Sequence, residues 1–264
     1  MKALTKSLAK RENTIALLLA TPKSAYTPET FHKLRVELKK MNALFDIIEY
    51  CLPAFKREKN FKPFKEIFEQ AGKVRELQIT EKLLHTTFRR KTFSYSNQLL
   101  LKKQKSAIAA FFKIITPVFI AKLHKIFQSI DRFGEKTKKA DVQSYLQKKR
   151  KKLKNILLQS KIQEEEVHEV RKRLKTYNYN RRIVEKKSTK TGVQSTDHLS
   201  DLVGKWHDLR ITLDYINGTR KENRMQPAES KQLVAVTKKL DDESNLLFKD
   251  ILKAIPHSEF VSGA

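Results

Sequence analysis

Two stretches of the sequence carry the same cationic side chains at the same spacing. His32, Arg35 and Lys39 stand in FHKLRVELK, residues 31–39, and His168, Arg171 and Lys175 stand in VHEVRKRLK, residues 167–175. The shared pattern is apolar-His-x-apolar-Arg-x-x-Leu-Lys. At helical periodicity each triplet falls within a sector of about 60°. Stacked like charges cost about 0.2–0.5 kcal/mol per i,i+4 pair, so a helix that keeps them gains if an anion covers them. Lysine offers a point charge and arginine a fork for paired oxygens. Histidine adds a ring donor whose pKa rises beside a polyanion, so binding should strengthen as pH falls. A single triplet arises by chance in a basic chain, and a lone histidine beside a core stripe is usually a structural hydrogen-bonder. Two matched copies using a scarce residue, 7 histidines in all, favour one multiply charged ligand facing both.

A second pair of motifs follows in the same order. GKVRELQI begins at Gly72 and GKWHDLRI at Gly204. They add Lys73, Arg75, Lys205 and His207 as weaker candidates. Glu76 and Asp208 either position these bases or form ordinary intrahelical ion pairs, and the second reading is the simpler. A glycine inside a helix costs about 1 kcal/mol relative to alanine, which close packing at that point would explain. Lys102 with Lys105, Lys148 with Lys152, and Arg182 two turns beyond Lys175 are secondary candidates. The run Arg89-Arg90-Lys91 and the remaining lysines of 148–154 add field without specificity. Arg220, Lys221 and Arg224 are assigned to a loop with no role.

The elements that must carry these residues are helical. Only 6 glycines and 7 prolines interrupt 264 residues, and no run alternates with a strand's period. Turn signals divide the chain into about eight helices: Thr5 to Ala20, Pro28 to Cys51, Asn60 to Leu84, Tyr95 to Phe127 with Pro117 as a kink or break, Asp141 to Ser160, Glu164 to Lys186, Asp197 to Ile216 and Pro227 to Ile255. A turn is expected at Asp131 to Gly134, and a loop at Ser188 to Ser195. Leu34, Leu38, Met41, Phe45 and Ile48 form the apolar stripe of the second helix, as Val170, Leu174 and Tyr177 do in the sixth. The triplets flank these stripes. Two motifs repeated in order indicate duplication. The fold class is therefore all-α: two four-helix bundle repeats, residues 1–132 and 133–264, related by pseudo-twofold symmetry around a basic central groove or pore.

Charge sets the class of partner. Lys plus Arg number 56 and Asp plus Glu 29, a net charge of +27. Such an excess repels itself in a compact chain and is relieved by bound anions. Nucleic acid, polyphosphate, anionic membrane and acidic proteins all fit that sign. Cys51 is the single cysteine, so no internal disulfide forms and a reducing cytoplasm is the expected setting. The N-terminal apolar run, Ile15 to Ala20, is short for a leader and reads as an amphipathic helix. No stretch reaches the length of a membrane span. A Walker loop is missing, and His85, His124 and His198 lack partners at metal-ligand spacing. The acidic cluster Glu164-Glu165-Glu166 suits a helix start. No enzyme activity, metal or cofactor is expected.

The paired motifs, His-x-x-Arg-x-x-x-Lys followed by Gly-x-apolar-(Arg/His)-(Asp/Glu)-Leu, resemble the CHAD domain family, whose name denotes a helical domain with characteristic histidines. The resemblance runs from about Ser7 to about Ile255. It implies two four-helix bundles with basic residues lining the space between them, binding of inorganic polyphosphate, and in some members localisation to polyphosphate granules. By position the ligand-facing set is His32, Arg35, Lys39, His168, Arg171 and Lys175. Many members place arginine three residues after the motif lysine, where this chain has Asn42 and Asn178, and Glu76 replaces the commoner aspartate. Some members are fused to a triphosphatase domain of the CYTH type, whose Glu-x-Glu-x-Lys strands this chain lacks. The expected function is non-catalytic polyphosphate binding. The alternative is non-specific nucleic-acid binding through the same charge, although no recognition helix, base-stacking aromatic pair or zinc finger occurs. A third reading is a basic scaffold for acidic proteins or anionic membrane, with its charge on an outer face.

Overall fold

The computed structural model describes residues 2–87, 94–159, 162–184, 190–221 and 225–262. Within them lie nine helices and no strand: α1 Lys2–Ala20, α2 Pro28–Cys51, α3 Arg57–Thr87, α4 Ser94–Ile114, α5 Pro117–Lys136, α6 Lys139–Leu157, α7 Glu164–Val184, α8 Lys190–Arg220 and α9 Pro227–Ala254. The second helix starts as the sequence predicts. Thr27 caps it, its hydroxyl accepting from the Thr30 amide at 3.3 Å while Thr30 reciprocates, and Pro28 occupies the first turn. Pro117 breaks the long fourth segment into α4 and α5. Proline has no amide to continue the ladder, and Thr116 caps the new helix by accepting from the Phe119 amide at 3.1 Å.

Three expected stops are displaced. The Asp131 to Gly134 turn is helical, and α5 runs on to Lys136 before Thr137-Lys138. Gly134 is buried against Leu8 and Thr5 of α1, so it serves close packing there. Lys190 to Ser195, expected in a loop, already belong to α8, while Ser188 and Thr189 lie outside the described residues. Asn217-Gly218 does not end α8, which reaches Arg220, so that arginine is helical and only Lys221 lies in a turn. A weak turn dipeptide on an exposed surface costs about 1 kcal/mol within a helix, little against the packing of 31 residues. Arg89, Arg90, Lys91, Lys186 and Arg224 lie outside the described residues.

The helices enclose two apolar cores. The larger draws on all nine helices, and includes Leu34, Leu38, Met41, Phe45 and Ile48 of α2 with Val170, Leu174 and Tyr177 of α7. The smaller gathers Leu84, Leu100, Leu209, Leu213, Ile216, Leu233, Val236 and Leu240 from α3, α4, α8 and α9. The long helices α3 and α8, each about 46 Å at 1.5 Å per residue, therefore pass from one core to the other. Packing follows a matched order: α2 on α3 and α7 on α8, α3 on α4 and α8 on α9, with α2 against α7 and α3 against α8.

Polar contacts fix these crossings. Tyr145 of α6 donates to Asp46 of α2 at 2.6 Å. Asn180 of α7 donates to the Tyr145 oxygen at 2.8 Å and to the Ala43 carbonyl at 2.9 Å. Lys149 also reaches Asp46, at 2.5 Å. Glu229 of α9 accepts from the backbone amides of Tyr95 and Ser96 at 3.1 and 2.8 Å, a carboxylate on the N-terminus of α4. Beyond α9, Glu259 forms a buried ion pair with Arg181 and its carbonyl accepts from Arg150 at 2.8 Å. Among the described residues no single helix is long and apolar enough to cross a membrane.

Candidate functional site

The packing of α2 on α7, with α3 and α8 alongside, brings the duplicated residues together. Lys39 lies in the field of Arg35 on its own helix and of Lys175 and Arg171 on α7. Lys175 in turn feels Arg171 and Arg35, and His32 feels Arg75 of α3 as well as Lys39 and Lys175. His207 of α8 sits among Arg171, His168, Lys175 and Lys39, its ring centroid 5.1 Å from that of His168. Asp208 faces Arg171, Lys175, Arg75 and Lys39. Nine residues spaced from His32 to Asp208 thus form one cluster of half-buried charge, and a single acid is half-buried among the bases.

Burial and mutual repulsion both act against protonation there. Lys39 falls from its ordinary 10.5 to about 7, first through burial and then through Arg35, Lys175 and Arg171. Lys175 falls to about 8 for the same reasons, with Asp208 and Asp201 opposing. His207 drops to about 3, so it stands as a neutral ring with one N–H to give. His32 and His168 are also lowered, chiefly by burial, and burial lowers Arg35 and Arg171 from the ordinary arginine value. Asp208 is raised by burial despite its cationic neighbours. An anion placed among such cations would stabilise their charged forms.

Each arginine has its own surroundings. Arg35 donates from Nη1 to the Phe68 carbonyl of α3 at 3.2 Å, and its guanidinium carbon lies 4.8 Å from the Phe68 ring centroid. Gly72, one turn beyond Phe68, makes room: a Cβ there would lie 2.0 Å from Arg35 Nη1. That accounts for one of the two helix glycines. At Gly204 nothing lies within 4 Å, so close packing, the expected reason for that glycine, is not what it serves.

The other candidates are more dispersed. Arg75 joins the cluster. Lys205 is exposed on α8, as are Lys102 and Lys105 on α4 and Lys148 and Lys152 on α6. Lys148 rests over the Tyr50 ring at 5.2 Å. Lys73 lines a cleft of about 650 Å³ between α3, α4 and α8, with Lys103, Asp214 and Tyr215. Arg182 is exposed and bound to Asp197 by two contacts at 2.9 and 3.2 Å. Glu76 is exposed and opposes the lowering of Arg35, while Asp208 is the half-buried acid among the bases. Sequence reasoning missed Phe68 and Tyr179. Both had a signal: Phe68 precedes Gly72 by one turn, and Tyr179 follows Arg171 by eight residues on nearly the same face. Burial raises the Tyr179 hydroxyl's pKa, with Arg171 and Arg182 opposing. Asn42 is half-buried, and Asn178 is buried with its Oδ1 unpartnered. Among the described residues no group of three His, Cys, Asp or Glu is placed to hold a metal ion.

Comparison with known proteins agrees with the all-helical fold. The crystal structure of the CHAD domain from the plant Ricinus communis superposes with a TM-score of 0.75 at 13% identity, covering 97% of this chain and 91% of that one. PptA from Streptomyces chartreusis superposes with a TM-score of 0.74 at 12% identity, covering 97% and 99%. At such identities these likenesses speak to the fold. No curated protein matches the sequence. The sequence model of the CHAD domain matches residues 9–217, most of the chain and both copies of the basic motif, and the protein belongs to the CHAD domain family.

Proposed function

We propose that this protein binds inorganic polyphosphate, without cleaving it, in a basic groove between two helical repeats whose second helices are α2 and α7. The observation that carries this reading is the convergence of Arg35, Lys39, Arg171 and Lys175 from opposite halves of the chain, each destabilised as a cation by burial. A linear anion with a charge on every unit neutralises such a group at several points at once, releasing counterions as it does so. Membership of a family associated with polyphosphate adds to it. In a cell such binding would place the protein at polyphosphate granules in the cytoplasm.

The exposed lysines of α4 and α6 supply the more diffuse field that duplex nucleic acid would use, so the two ligands are separable. Calorimetric titration with long-chain polyphosphate and with duplex DNA, at matched phosphate concentration and physiological salt, should give tighter polyphosphate binding. Chain length should be unchanged after prolonged incubation. Equal or tighter binding of DNA would overturn the assignment.

A further inference from the structure

The duplicated arginines are not equivalent. Arg35 spends its guanidinium inside its own half, one N–H on the Phe68 carbonyl at 3.2 Å and its flat face over the Phe68 ring. Gly72 keeps that place open. Arg171 has neither a hydrogen bond nor a ring beneath it among the described residues, and its Nε is buried with no partner. A buried N–H left unpaired is costly, so this arginine is less well satisfied inside the fold than Arg35 is. Around Arg171 stand Lys175 one turn on, His168 one turn back, and His207 of α8, whose ring lies 5.1 Å from that of His168. Across the cluster His32 has no ring neighbour of this kind among the described residues. Asp208 lies in the same field and partly offsets the charge of Arg171.

Resting on the polyphosphate reading above, we propose that the two halves of the cluster divide their work: Arg171, Lys175, His168 and His207 form the primary subsite for one phosphoryl group, and Arg35 chiefly braces α2 against α3. A tetrahedral oxyanion can take two terminal N–H groups of Arg171 as a fork, the ammonium of Lys175 as a point charge, and a ring N–H from each imidazole. Those donors are unspent on α7 and α8, whereas on α2 one terminal N–H of the fork is already engaged and the guanidinium face is covered by a ring. Four such donors suit a single phosphoryl unit, so the subsite should hold a short phosphoanhydride as well as one link of a long chain.

The test uses the full chain and two probes, diphosphate and long-chain polyphosphate, titrated by calorimetry, with the melting temperature of each free protein alongside. Arg171→Ala should weaken both probes by about tenfold or more while leaving the melting temperature unchanged or higher, because it removes a repelled, partly unpaired charge. Arg35→Ala should weaken them by no more than about threefold, the effect of a charge acting from a distance, and should lower the melting temperature. Gly72→Ala keeps the charge but displaces it. It should behave like Arg35→Ala, and it stands in if that variant does not fold. Losses for Arg35→Ala or Gly72→Ala as large as for Arg171→Ala would overturn the division, as would failure of the wild-type protein to bind diphosphate. Diphosphate binding without long-chain binding would overturn the polyphosphate assignment and leave the subsite standing.

Discussion

Polyphosphate binding should take up protons, and its pH dependence should run opposite to that of the free protein's stability. In the free protein Lys39 titrates near 7 and Lys175 near 8, both depressed by burial and then by neighbouring cations. Suppose a bound polyanion restores both to 10.5, the ordinary lysine value. At pH 8 Lys39 is then about nine-tenths neutral before binding and Lys175 about half neutral, so binding takes up about 1.4 protons; at pH 6 the uptake is about 0.1. The product of the two titration factors at pH 8 is about 22 against about 1.1 at pH 6, so affinity should fall about twentyfold, or about 1.8 kcal/mol. The ligand's terminal phosphates oppose this by gaining charge as pH rises, but in a long chain they are a small share. Calorimetry at constant salt, in buffers of different ionisation enthalpy, reads the proton count directly. Stability has the other sign. Because the folded pKa values lie below the unfolded ones, the unfolded chain binds more protons between pH of about 7 and 10.5, so the free protein should grow more stable across that window. Flat affinity between pH 6 and 8 with no proton uptake would refute the claim that these two lysines meet the ligand.

Two further substitutions test the framework that holds the cluster. Tyr145→Phe removes the hydroxyl joining Asp46 and Asn180 and should cost about 1–2 kcal/mol, read as a melting temperature lower by a few degrees, with polyphosphate affinity little changed. Gly204→Ala places a methyl where nothing lies within 4 Å and should stabilise α8 by up to about 1 kcal/mol, visible as a raised denaturation midpoint.

Much of this was legible because helix periodicity is a strong local signal. The stripes of α2 and α7 have the burial their spacing implies, and Thr27-Pro28 opens α2 by a mechanism that the residue types alone specify. Helix ends were less legible. Gly134 and Gly218 carry the composition of stops, yet lie inside helices whose packing outweighs a local penalty of about 1 kcal/mol. The convergence of the triplets was an expectation from duplication, since no local pattern states which helix faces which. What sequence could not supply is the difference between the copies. Gly72 and Gly204 read identically, and only the path of Arg35 across Phe68 separates them.

That difference bears on how a duplicated site evolves a preference. Two equal halves would give a ligand two equivalent footholds and the unliganded protein two equal burdens of buried charge. Here the burden is reduced on one side, where Arg35 has a carbonyl and a ring for company, and kept on the other, where Arg171 has Asp208 in its field and an N–H unspent. Satisfying an arginine within the fold stabilises the free state and removes donors from the ligand; leaving one unsatisfied does the reverse. On the proposed division, a chain with one arginine of each kind pairs a bracing wall with a ligand-binding one. The cost in free-state stability then falls on α7 and α8, and it is there that Arg181 with Glu259, and Asn180 with Tyr145 and Ala43, tie α7 to its neighbours.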